Sequence, residues 1–235
     1  MYPQSNSARS VRDLSGVWDF RFNADEPWQP IAVPASYNDQ SPDPEFRRHY
    51  GMAYYRTTFT VPEGARRVLR FDAVTHNAVV RLNGQEIASH RGGFLPFEAD
   101  ITALAQPGET VTLDVEVDNR IGHSSLPVGN EGGTAFFGSD NAGIPAVEAG
   151  KARQQAQGIN LPNFDFFNYA GTTRPVHLYT TPAAYIRDVT VAADMTGTLR
   201  YTVDTVGEGS VKVEILDAED RVVACADGVA GTVQV

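Results

Sequence analysis

Cysteine is nearly absent: Cys225 is the single thiol in 235 residues, so the sequence predicts neither an internal disulfide nor a thiolate metal site. No apolar run approaches the roughly 20 residues needed to cross a bilayer. The polar start from Met1 to Ser7 lacks the apolar core of a signal peptide. These absences predict a soluble chain of the reducing cytoplasm with no membrane partner. Basic residues are also scarce, 19 Lys and Arg against 29 Asp and Glu for a net charge of −10, with no local cluster to offset it. Such a surface repels a phosphate backbone, so nucleic acid is not an expected partner. The five histidines, His49, His76, His90, His123 and His177, never take the helical spacing of a zinc site, and no metal or other cofactor is expected. No Ser or Cys sits in a Gly-flanked elbow, and no phosphate-cradling loop opens a helix. The nearest candidate, Arg91-Gly92-Gly93-Phe94, reads as a strand break or bulge.

Helical period is missing beyond a turn or two, and period two takes its place. β-Branched and aromatic residues alternate between Gly, Pro, Asn and Asp punctuation, which predicts an all-β chain. Ala78 to Leu82 and Gln85 to Ser89 flank Asn83-Gly84, the pair that tolerates both positive φ angles of a type I′ hairpin turn. Further strands are expected at Tyr54 to Val61, Val68 to Asp72, Val111 to Val117 and Val176 to Thr180. Alternating faces of this kind require a second sheet, so residues 1–182 are expected to form a jelly-roll β-sandwich. After Thr181-Pro182 the strand signals shorten, at Tyr185 to Ala192, Leu199 to Val203, Val211 to Leu216, Val222 to Cys225 and Thr232 to Val235. Residues 183–235 therefore read as an immunoglobulin-like β-sandwich left incomplete, since about seven strands complete that fold. The expectation is a fragment of a longer protein; the other reading is a native open sheet with an unprotected edge.

Between Asn119 and Asn163 runs a long segment rich in Gly, Ala, Ser and Asn, of the kind that serves as a functional or mobile loop. It leads to Asp165-Phe166-Phe167-Asn168-Tyr169-Ala170-Gly171. A carboxylate accepts from ring hydroxyls while an aromatic face covers the C–H side of a sugar, so this stretch has the groups of a saccharide site. Asp165 is the candidate substrate-binding residue; its plain alternative is an Asx turn. Phe166, Phe167, Asn168 and Tyr169 are expected to brace the loop. Asn38-Asp39 after Ser36 reads as turn capping in support of an interface. His76, lone and after a strand, reads as structural, with a hydrogen bond across a turn. A retaining glycosidase needs two carboxylates about 5 Å apart. The sequence offers no such pair, Asn130-Glu131 lying in a loop before a Gly pair, so no catalytic residue is assigned.

The Asp165 to Gly171 run resembles the amino-terminal part of the bacterial β-glucuronidases of glycoside hydrolase family 2. So do Val33-Pro34-Ala35-Ser36-Tyr37-Asn38-Asp39-Gln40, Arg70-Phe71-Asp72-Ala73-Val74-Thr75-His76, Leu14 to Trp18, Gly92 to Asp100 and Leu178 to Pro182. The resemblance departs at Phe164, where such proteins carry His, and in the longer Asn119 to Asn163 loop. It implies a sugar-binding-like domain, the start of an immunoglobulin-like domain, and a (β/α)₈ barrel that holds both catalytic glutamates and is missing from this chain. The implied parent hydrolyses β-D-glucuronides with retention, Asp165 reaches the barrel's sugar site, and this chain alone is inactive. A homo-oligomer is compatible with it. Two other readings stay open. One is a free-standing carbohydrate-binding module. The other is a structural or oligomerisation domain of a family 2 β-galactosidase or β-mannosidase.

Overall fold

The computed structural model describes residues 3–122, 125–126, 158–160 and 167–235. Seventeen strands appear in chain order: β1 (Val11–Asp13), β2 (Gly16–Arg21), β3 (Gln29–Val33), β4 (Met52–Thr60), β5 (Arg66–Phe71), β6 (Val74–Thr75), β7 (Asn77–Leu82), β8 (Gln85–Arg91), β9 (Phe97–Asp100), β10 (Thr110–Asp118), β11 (Gly171–Thr172), β12 (Val176–Thr181), β13 (Tyr185–Ala193), β14 (Thr198–Val206), β15 (Lys212–Leu216), β16 (Val222–Asp227) and β17 (Ala230–Gln234). One short helix, α1 (Pro44–Arg48), and a 3₁₀ turn at Tyr37–Asp39 stand outside the sheets.

A six-stranded sheet in the order β3-β2-β4-β10-β7-β8 faces a four-stranded one in the order β1-β12-β5-β9, and the pairings are antiparallel throughout. This is the all-β sandwich that the period-two pattern predicted. Along β10, Val111, Leu113, Val115 and Val117 are buried while Thr112, Asp114, Glu116 and Asp118 are only partly covered, so a single strand carries both a core face and a polar face. Asn83 and Gly84 take φ of 50° and 83° at the β7–β8 hairpin, as the Asn-Gly turn requires. Arg91 ends β8 and Phe97 opens β9, with Gly92 at φ 110°, so the Gly pair breaks the strand.

One end of the sandwich is closed by aromatic rings. Phe20 meets Phe22 edge-on at 4.8 Å and Tyr55 at 4.9 Å, Phe22 meets Phe46 at 5.0 Å, and the His49 ring stacks on Phe22 at 4.0 Å. Edge-to-face rings at these spacings add about 0.5–1.5 kcal/mol per pair beyond area burial. Phe46 comes from α1, whose start is fixed by Asp43 accepting from Glu45 N–H at 2.9 Å. Strands β1 to β3 and β9 and the short helix α1 had no clear signal in the sequence. Each of these strands spans only three to six residues, too few for alternation to stand out from chance.

A second core is smaller and separate. Tyr201, Val203 and Val233 are buried between a three-stranded sheet, β13-β14-β17, and the β15-β16 pair. All five strands expected after Pro182 are present. Ile186, Val189 and Val191 on β13 and Val222 and Val223 on β16 stay half exposed, so this unit is open on its outer faces.

Gly171 tests the packing under the 167–170 run. Its φ is +122° and an added Cβ would lie 2.5 Å from the Tyr55 hydroxyl. Gly108 is also left-handed, at φ +82°, but faces open space. Gly171→Ala is expected to cost about 2 kcal/mol or more through strain plus overpacking, and Gly108→Ala about 1 kcal/mol through strain alone. Urea unfolding followed by tryptophan fluorescence reads both, and equal losses at the two positions would contradict this packing.

Candidate functional site

The run 167–170 crosses the closed end of the sandwich with a period of two. Asn168 and Ala170 are buried at 3% and 0%, whereas Phe167 is half-buried and Tyr169 is 43% exposed. Hydrogen bonds on both sides of Ala170 clamp it and the strand that follows. Tyr37 N–H donates to Ala170 O at 3.1 Å and Ala35 N–H to Thr172 O at 3.0 Å. The Asn38 side chain, itself buried, accepts from Ala170 N–H at 2.9 Å and donates to Phe46 O at 2.9 Å. Ser36 accepts from Asn38 N–H at 3.3 Å, so the cap is Ser36, whereas Asn38, expected to cap the turn, instead ties the 167–170 run to α1.

Asn168 is the centre of this arrangement. Its Nδ2 donates to Asn119 O at 3.0 Å, its backbone O accepts from Asn160 Nδ2 at 2.9 Å, and its Oδ1 faces His76 Nε2 in hydrogen-bond contact. Because Oδ1 can only accept, His76 holds its proton on Nε2. Asn119 continues the network, donating to His49 O at 2.7 Å and accepting from Gly51 N–H at 2.7 Å. Four side-chain amides are thus satisfied by each other, by His76 Nε2 and by backbone, as burial requires, while His76 Nδ1 is buried without a partner. His76 was expected to bond across a turn. Its partner instead lies on a distant segment, brought near because β6 pairs with β11 at Thr75↔Gly171.

Outside this polar layer, Arg47 of α1 lies over the Phe167 ring at 4.3 Å and near Tyr169 at 6.0 Å, and pairs with Asp39 at 2.5 Å. Phe167 and Tyr169 meet edge-on at 4.9 Å. Arg47 and Asp39 are both about half exposed, so the ion pair contributes little and the cation over the ring fixes Arg47 instead. Of the residues named from sequence, Phe167, Asn168 and Tyr169 come together here. Asp165, Phe166, Phe164, His123 and Asn130-Glu131 lie outside the described residues. Asn119 and Asn160 were missed. Asn119 follows four alternating core positions directly, and an amide at the end of such a strand is the one signal that could have pointed to it. Among the described residues, no group of three His, Cys, Asp or Glu stands in position to hold a metal.

Burial lowers the His76 imidazole below its ordinary 6.5, against the opposing hydrogen bond from Asn168 and the charge of Asp118. Burial lowers His49 as well, partly offset by the Met52 carbonyl. A depressed histidine favours the neutral form in the fold, so the stabilisation is complete above the unfolded value near 6.5 and is lost as pH falls below it. Urea midpoints are therefore expected to drop between about pH 7 and pH 5, and less steeply in His76→Gln. Asn168→Ala, which strands the His76 N–H and Asn119 O, is expected to cost about 2–4 kcal/mol. A pH profile identical in wild type and His76→Gln would remove His76 from the network.

The model of the glycosyl hydrolases family 2 sugar binding domain matches residues 11–182. A β-glucuronidase of Paenibacillus borealis is 36% identical over the whole chain, which covers 40% of that protein, and one of Sus scrofa is 34% identical with 39% covered. Among solved structures, a Faecalibacterium prausnitzii β-glucuronidase is 54% identical and superposes on the whole chain and 42% of its own, with a TM-score of 0.84. A Bifidobacterium dentium β-glucuronidase complexed with coumarin-3-O-glucuronide is 45% identical, with the whole chain and 43% of its own matched and a TM-score of 0.82. The chain thus spans about two fifths of the length of these relatives. With the family match covering most of the chain and the likeness to these enzymes reaching across all of it, the chain belongs to glycosyl hydrolase family 2 and is similar over its whole length to part of these β-glucuronidases.

Proposed function

We propose that this chain works as part of an enzyme that hydrolyses β-D-glucuronides with retention of configuration. In that enzyme it contributes a sugar-site loop and no catalytic carboxylate. The observation that carries the reading is the clamp on 167–170. Asn38, Asn119, Asn160 and His76 fix the backbone just after Asp165, and holding a contact residue still is what transition-state binding needs. Asp165 is the residue that would accept from the sugar hydroxyls. Phe167, Asn168 and Tyr169 brace it, with Arg47 stacked on their outer side, and Phe166 is assigned the same supporting role.

On this reading residues 1–182 are the sugar-binding-like domain and residues 183–235 begin an immunoglobulin-like one. The glutamate pair of the double displacement and the groups that recognise the substrate carboxylate belong to a barrel beyond this chain. The parent works in the cytoplasm, and a homo-oligomer is compatible with this domain arrangement. No helix of the described residues is long and apolar enough to cross a membrane.

The test compares this chain with one extended through the following barrel, on a chromogenic β-glucuronide with the β-galactoside as control. Turnover is expected only in the extended form and only on the glucuronide. In that form Asp165→Ala is expected to lower kcat/KM by about 10²-fold or more with the thermal midpoint unchanged. Turnover by the short chain would overturn the non-catalytic role, and unchanged turnover in Asp165→Ala would remove Asp165 from the site.

A further inference from the structure

The outer face of the six-stranded sheet carries a second constellation, on the opposite side of β4 from Asn168. Tyr55 points inward to Gly171, whereas its neighbours Tyr54 and Arg56 point outward. They join Arg21, Trp28, Arg81, Asp114 and Glu116 around an open pocket of about 230 Å³. That volume suits one sugar ring better than an extended chain.

The charges in this pocket are not evenly matched. Arg56 pairs with Asp114 at 2.6 Å and neighbours Asp19 on β2. Arg81 pairs with Glu116 at 2.9 Å and Glu86 at 3.4 Å. Arg21 has no acid within ion-pair distance among the described residues. Its one hydrogen bond runs from Nη1 to Glu26 O at 3.3 Å, and its Nε is buried without a partner. It is nevertheless held in place, with its guanidinium 4.1 Å from the Trp28 ring centre and 5.9 Å from that of Tyr54. Arg56 also lies against Trp28, at 4.7 Å. A stacked guanidinium with no acid partner is preorganised for a carboxylate, which its terminal nitrogens can take in a bidentate fork.

The surrounding groups narrow the ligand further. Asp114 and Glu116 would repel a phosphate dianion, but they accept hydrogen bonds from hydroxyls beside a single carboxylate. Trp28 and Tyr54 supply apolar edges for a ring. We propose that this pocket binds a sugar acid, a single hexose-sized ring bearing one carboxylate, with the carboxylate on Arg21 and the hydroxyls on Asp114, Glu116 and Tyr54. The site is separate from the Asp165 loop, and it stands or falls independently of glucuronide turnover.

The probe is D-glucuronate, titrated into the ¹⁵N-labelled chain and followed by amide and indole N–H shifts. Saturable shifts in the millimolar range are expected at Arg21, Trp28, Tyr54 and Asp114. D-Glucose, acetate and inorganic phosphate are each expected to bind at least about tenfold more weakly. Arg21→Gln is expected to weaken glucuronate by about tenfold or more, with the dispersion of the spectrum confirming the fold. Arg21→Lys, which keeps the charge but loses the fork, serves if that variant is disturbed, and a loss of several-fold is expected there. Absence of saturable shifts at these residues would overturn the proposal. So would equal binding of glucose, acetate or phosphate, or glucuronate affinity unchanged in the Arg21 variants.

Discussion

A carboxamide cannot be buried without partners, and the Asn168 side chain is 3% exposed at the closed end of the sandwich. Satisfying it draws together the end of β10 at Asn119 and the short β6 segment before His76, while Asn160 holds the backbone carbonyl of the same residue. Through Asn38, the same run reaches α1. Apolar packing alone gives a sandwich of the right thickness, but it does not say which loop crosses its end or in what register. The amide network does, because shifting the run by one residue would bury Tyr169 and expose the hydrogen-bonding groups.

The aromatic closure and the amide layer divide the work. Phe20, Phe22, Tyr37, Phe46 and Tyr55 fill the volume beneath the run, and Gly171 lets the backbone approach Tyr55 more closely than any side chain would permit. Burial raises the Tyr55 phenol above its ordinary range, so it stays neutral wherever the fold persists. The result is a rigid floor with a polar seam, and the surface above it is left to Phe167, Tyr169 and Arg47. Charges on the strand faces are matched in cross-strand pairs such as Arg56–Asp114 and Arg81–Glu116. Arg21 departs from that pattern.

The long strands were readable because alternation over β4, β7, β10 and β14 repeats often enough to exceed chance, and because Asn83-Gly84 dictates its own turn. The short strands β1, β6, β9 and β11 were not, since two to four residues carry no period; only their pairing partners make them strands. Of the candidate site, the aromatics and Asn168 were legible as a cluster in one run. Asn119, Asn160 and His76 were not legible as its partners. Each is contributed by a different part of the chain, and an amide in a loop looks the same in sequence whether it caps a turn or holds a distant backbone in place.

β1 and β12 are neighbours in the four-stranded sheet, Val11 lying opposite Tyr179. A ribosome emits the first of these strands long before the second. The sheet cannot close until nearly the whole sandwich has left the exit tunnel, and until then β5 has a partner on only one edge, β9. Nascent chains of this protein therefore pass through a stage in which strand edges of this sheet are unpaired and open to pairing with another chain.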